Sequence, residues 1–420
     1  MESDSLSNPI LTSVQRAYQA FLELQKLKGV DRNRGVQAIA QGLQEAFDEI
    51  LEANTLDLET SREMAVPDLV LDWLKLTPER LQTTVEILNR IAQLSDPIQL
   101  VMNAPYQLNP SQTYSQLMPL GVIALIYEAF PQLGAIATGM CLKTANSTIL
   151  RGSSFASHSN AAIAQVLKTA LEEAGMPAGC LEVIFPDDGS SIQELVTQDQ
   201  YLNLVIPYGR PSLIQQVTKL ATAPVLKSAM GNCYLYWALS GDLELVRWVV
   251  LDSHASQPDR VNGIEKVLIH ANQKPSSLVR LFSSLKEKGF ELRGDADLVA
   301  QFPEYLNPAE ESEWGKPYLR KIVAFKAVDS LESAITWMNQ YSSSHADCLV
   351  TESYQESRKF AMGIDSALVY INCSPRFSRI PKGTESVFLG MSNQKGQRRG
   401  LIGLETFTTL KQVVQGEGRF

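Results

Sequence analysis

Apolar positions recur at helical spacing through the first hundred residues and then give way to short continuous runs. Val14 to Leu27, Gly35 to Ala53, Asp68 to Trp73 and Pro78 to Leu94 each carry the helical period, with Pro78 and Asp96-Pro97 where helices begin or stop. The charged group around Glu45 to Glu49 is the solvated face of one such helix. From Met102 to Leu120 the pattern changes to Pro, Asn, Gln, Ser and Tyr with alternation near Tyr106 and Tyr114, which predicts a protruding β-ribbon or an edge segment.

Beyond that ribbon, strand and helix patterns alternate. Val122 to Tyr127 is a wholly apolar run of the kind a buried parallel strand shows. A small-residue helix follows at Leu133 to Leu142, then a strand at Ser147 to Leu150, the loop Arg151-Gly-Ser-Ser154 and a helix from Ala156 to Ala174. The alternation continues with strands at 181–185 and 202–206 and helices at 191–197 and 211–220. A second region opens at Cys233 to Ala238, with further strands at 266–270, 322–328 and 348–351, and a strand at 367–372 belongs to a third region. Its helices fall at 242–253, 276–287, 330–340 and 354–362, and residues 378–402 read largely as loop. The fold class is therefore α/β, with two open sheets and a small β appendage.

Strand, helix, strand, small-residue loop, helix is the outline of a nucleotide-binding half. The loop at 151–154 would lie at the carboxyl end of a strand and the amino end of a helix, where exposed amides favour an anion. Many α/β folds carry such a loop without a ligand.

Composition narrows the partners. The 420 residues suffice for two or three domains, and a net charge of −9 without a long basic run speaks against nucleic acid or an anionic membrane. No apolar stretch reaches the ~18–20 residues of a membrane span, and the amino terminus lacks the pattern of a secretory signal. Five scattered cysteines without a Cys-x-x-Cys pair suit reduced thiols in a cytoplasm and offer no metal framework; the four histidines have no ligand spacing either.

Several motifs together carry a resemblance. Pro119-Leu-Gly-Val-Ile, Cys141-Leu-Lys-Thr-Ala-Asn146, Ile149-Leu-Arg-Gly152 and His158-Ser-Asn160 resemble the γ-glutamyl phosphate reductases. These enzymes, also called glutamate-5-semialdehyde dehydrogenases, are a branch of the aldehyde dehydrogenase superfamily. The resemblance runs on through Gly231-Asn-Cys233, His345-Ala-Asp, Asp365-Ser-Ala and Gly403-Leu-Glu405, nearly the whole chain. It implies an aldehyde-dehydrogenase-like fold with a cofactor-type domain at 1–102 and 121–225 and a catalytic-type domain at 226–365. An oligomerisation flap would form from 103–120 and 385–420, with 366–384 returning to the cofactor-type domain. The family reduces γ-glutamyl phosphate with NADPH in proline biosynthesis, through a cysteine thiolate that displaces phosphate to form a thioester.

By the same resemblance Arg151, Gly152, Ser154 and Gly209 would contact NADP(H), and Asn146, Arg260, Asn262 and Asn372 the substrate. The chain departs from the family pattern at the centre of that site. Counted from Gly241 to His270, the nucleophile position is Val261, and no cysteine occurs between 234 and 347. The family's Ser-Arg after Tyr127-Glu128 is Ala129-Phe130, and its acidic ribose ligand is Phe155. Its Gly-Gly turn after Pro207 is Tyr208-Gly209-Arg210, and the Glu expected at the nicotinamide ribose is Pro317.

Two readings follow. One is an enzyme in which Cys233, or less directly Cys373, replaces the missing thiol; the apolar surroundings of Cys233 favour instead a buried residue without a covalent role. Arg260 could hold a phosphate or carboxylate, or lie on the surface. The other reading is a catalytically inactive paralogue that keeps the fold and the homo-oligomeric flap, as a regulatory or scaffolding subunit or a binder of a small metabolite.

Overall fold

A computed structural model describes residues 8–108, 111–186, 192–256, 259–396 and 399–416. The chain divides into two compact units: Met1–Ser228 with Arg379–Leu389 and Ile402–Phe420, and Ala229–Ser378 with Gly390–Leu401.

In the first unit the helices Pro9–Leu24, Gly29–Glu45, Phe47–Glu63, Asp68–Leu74 and Pro78–Gln93 precede the sheet. The first begins earlier than the periodicity suggests, because the Asn8 side chain accepts from the amides of Ile10 and Leu11 and Pro9 sits at the first helical position. The span predicted as one helix from Gly35 to Ala53 is two helices that meet at Ala46, whose ψ of 17° leaves the helical region. Neither glycine nor proline marks that break, and buried residues recur at helical spacing on both sides of it.

Four parallel strands follow in the order Leu181–Val183, Ser147–Arg151, Val122–Tyr127, Leu202–Tyr208. Every residue of Val122–Tyr127 is buried, as is every residue of the helix Leu133–Lys143. The chain moves outward from Val122–Tyr127 on one side and then crosses to its other side. The order therefore reverses beside that strand, the place where open α/β sheets form their binding crevice.

The predicted ribbon is present. Gln112–Pro119 pairs antiparallel with Val101–Asn103 and with Thr408–Gln415. Among the described residues of the segment assigned to the flap at 385–420, only Thr408–Gln415 joins this sheet. Arg379–Leu389 packs in the first unit, and Met391–Ser392 pairs with Gly400–Leu401 in the second.

The second unit is built on seven parallel strands: Asn307–Pro308, Glu291–Gly294, Ile322–Val328, Ile264–His270, Cys233–Trp237, Ala346–Val350 and Leu368–Ile371. Both faces are covered. Cys233, Leu235 and Trp237 pack with Phe282 and Phe325, whereas Tyr234 and Tyr236 pack with Leu349 and Phe360 on the other side. Glu291–Gly294 and Asn307–Pro308 escape sequence reading because they are short and carry charge or proline at one sheet edge. The assignment of 366–384 as a return segment is corrected at 366–378. Leu368–Ile371 pairs with Ala346–Val350 and completes the second unit's sheet at the other edge. Among the described residues no helix is long and apolar enough to cross a membrane.

One contact pins the helix Ser157–Glu173, which no side chain of its own caps. The buried Asp57 carboxylate, on Phe47–Glu63, accepts from the amides of His158 (3.0 Å) and Ser159 (2.7 Å). Asp57→Ala leaves both amides without acceptors, so chemical denaturation should show a loss of about 1–3 kcal/mol, with Asp57→Asn losing less.

Candidate functional site

Val261 lies at the amino end of the strand Ile264–His270, fully buried. Its carbonyl accepts the Gly231 amide and His345 Nε2, each at 2.9 Å. A carbonyl only accepts, so Nε2 carries the proton in this arrangement. That same nitrogen stands 3.3 Å from Cys233 Sγ. It has no lone pair with which to take the thiol proton.

Cys233 is fully buried. Burial first, then the neighbouring Asp347, Cys348 and Glu265, push its thiol far above the usual range. Burial also holds His345 neutral, with its pKa lowered to about 4. Cys233 and His345 thus touch without the geometry of an activated thiol–imidazole pair.

The residues flanking Val261 stay beside it, as contiguity demands. Arg260 is half-buried and donates from Nε to the His254 carbonyl at 3.3 Å. Asn262 is buried and donates from Nδ2 to the Pro375 carbonyl at 2.8 Å, while its Oδ1 has no partner. Asn372 is not brought into that set by its hydrogen bonds. It follows the carboxyl end of Leu368–Ile371, and its amide accepts from the Thr351 N–H and donates to the Thr351 carbonyl.

Asn146, in the first unit, is a buried clamp. Its Oδ1 accepts the Gly121 amide at 2.7 Å, and its Nδ2 donates to Thr144 Oγ1 at 2.7 Å and the Phe407 carbonyl at 2.8 Å. These bonds occupy the amide, so the substrate role implied for Asn146 finds no open donor. Pro317 precedes Tyr318 and Leu319, whose amides, with that of Asn232, donate to the buried Glu265 carboxyl at 2.7–2.8 Å. Burial raises the pKa of Glu265 despite those donors and the adjacent Lys266.

At the carboxyl edge of the first unit's sheet, Arg151 ends its strand half-buried and Ser154 is exposed in a short 3-10 turn. A Cβ at Gly152 would stand 2.1 Å from Asn160 Nδ2, so any larger residue there would displace that side chain. The helix amino end that this loop was expected to offer an anion is already served by Asp57. Gly209 has φ +153°, and a Cβ on it would come within 2.8 Å of Glu128 Cβ. Glu128 Oε2 accepts the Arg210 amide at 3.0 Å, and Oε1 accepts from Arg210 Nε at 3.0 Å and Nη2 at 2.5 Å. That hydrogen bonding raises the pKa of Arg210 further. Beside this pair Phe130 stacks on Trp73 (centroids 4.7 Å apart) and meets Tyr208 edge-on at 5.4 Å, all three buried. The carbonyl partners of His345 and the amide partners of Asp57 carry no local sequence signal.

Two open, parallel, helix-covered sheets with an antiparallel ribbon define an aldehyde-dehydrogenase-type α/β protein. The aldehyde dehydrogenase family profile matches residues 7–233. The chain is 56% identical to gamma-glutamyl phosphate reductase 2 of Synechocystis over 100% of both chains. It is 40% identical to gamma-glutamyl phosphate reductase of Gloeobacter violaceus, covering 100% of this chain and 99% of that one. The crystal structure of gamma-glutamyl phosphate reductase from Thermotoga maritima superimposes with a TM-score of 0.89 at 33% identity, over 98% of this chain and 100% of that one. The chain belongs to the gamma-glutamyl phosphate reductase family, within the aldehyde dehydrogenases.

Of the five cysteines only Cys373 is exposed; Cys141 and Cys180, for instance, are buried and raised to about 12. Iodoacetamide at mildly alkaline pH should therefore label the native chain at Cys373 alone, and all cysteines after denaturation. Peptide mass spectrometry that finds Cys233 alkylated in the folded protein would revive it as a reactive thiol.

Proposed function

We propose that this chain is a non-reducing member of the gamma-glutamyl phosphate reductase family, retained as an assembling subunit that regulates, scaffolds or binds a small metabolite. The observation that carries the reading is Val261, which stands where the resemblance puts the nucleophile. Valine has no lone pair, so it can neither displace phosphate from an acyl phosphate nor hold an acyl group. The surroundings of Cys233 support the same reading, since a buried thiol beside a neutral, already bonded histidine is not ionised near neutral pH.

Full-length identity of 56% to a protein called a reductase favours the alternative, NADPH-dependent reduction of γ-glutamyl phosphate. The two separate in one assay. The purified chain is supplied with γ-glutamyl phosphate made in situ by glutamate kinase, and NADPH consumption is followed. No consumption above the protein-free control is expected; turnover abolished by Cys233→Ala would sink the non-reducing reading.

Self-assembly through the ribbon is part of the proposal, as is a reducing cytoplasmic setting for the unpaired thiols. The ribbon exposes Val101, Met102, Leu410 and Val414, with Tyr106 beside it. Among the described residues, its strand Thr408–Gln415 pairs along one edge only, with Gln112–Pro119. Light scattering should report a homo-oligomer for the wild type and smaller species for Leu410→Glu/Val414→Glu. An unchanged mass in that variant would remove the ribbon from the interface.

A further inference from the structure

We propose that the first unit shuts its own nucleotide crevice, its carboxylates taking the places at helix amino ends where a dinucleotide's phosphates would be held. The crevice is defined by topology, at the carboxyl ends of Val122–Tyr127 and Leu202–Tyr208 where the strand order reverses. A phosphate held there would use the unpaired amides and positive end of the helix Pro211–Leu220. Glu128 already sits at that end. It accepts the amide of Arg210, the residue that opens the helix, and draws the Arg210 guanidinium onto its other oxygen.

The two charges offset each other, so the seat offers a phosphate little attraction. The small residue that would let a diphosphate approach the backbone, Gly209, makes room for Glu128 instead. At the neighbouring helix, Ser157–Glu173, Asp57 fills the equivalent position through the amides of His158 and Ser159. The stack of Trp73, Phe130 and Tyr208 is packed beside the Glu128–Arg210 pair and excludes solvent. The residues present do not fit NADP(H). This closure is independent of the missing nucleophile, and either conclusion can stand without the other.

The test is calorimetric titration of the wild type, Glu128→Gln and Arg210→Ala with inorganic pyrophosphate and with NADPH, folding being checked by circular dichroism and thermal melting. The wild type should bind neither ligand below about 1 mM. Glu128→Gln removes the internal anion and leaves Arg210 and the helix end available, so its pyrophosphate affinity should rise at least about tenfold. Arg210→Ala leaves the carboxylate in place and should gain nothing. Micromolar NADPH binding by the wild type overturns the closure. So does a folded Glu128→Gln without gain, or an Arg210→Ala that gains as much.

Discussion

Carboxylates taken out of water must be matched by donors, and in this protein the donors are largely backbone amides. Glu265 gathers the amides of Asn232, Tyr318 and Leu319. Asp57 holds the first turn of Ser157–Glu173, and Glu128 the turn into Pro211–Leu220. Asp347 accepts the Tyr234 amide and the hydroxyls of Ser342 and Ser366, and burial still raises its pKa to about 6. Each joins segments that are remote in sequence. The loops around both sheets take their positions from these contacts as much as from apolar packing.

That architecture explains how the family fold tolerates changes at loop positions. The strands depend on buried aliphatic and aromatic residues, which a change at one loop position does not disturb. Valine at position 261, ahead of Ile264–His270, places an apolar side chain in a fully buried place. The backbone around Val261 stays tied through its carbonyl to Gly231 and His345, a bond indifferent to the side chain. The local structure at this position therefore rests on a main-chain atom and leaves the side chain free to vary.

The sequence by itself determined the strand and helix alternation, because continuous apolar runs and helical periods are local patterns. It also determined that position 261 lacks a thiol and that a ribbon or edge segment precedes Leu120, whereas the burial of Thr113, Ser115 and Leu117 on one face of that ribbon emerged only in the fold. It could not show that Ala46 breaks a helix, since no glycine or proline stands there, nor that Leu368–Ile371 belongs to the second sheet. Only the tertiary structure decided which polar groups are free to act. Glu128 meets Arg210 across 82 residues and Asp57 meets His158 across 101, pairings that no local pattern encodes. Asn146 and Cys233 read as candidates from their types, yet folding commits the first to three backbone segments and strips the second of water. A side chain's chemistry is set by its remaining partners and its solvent, and both are properties of the folded chain.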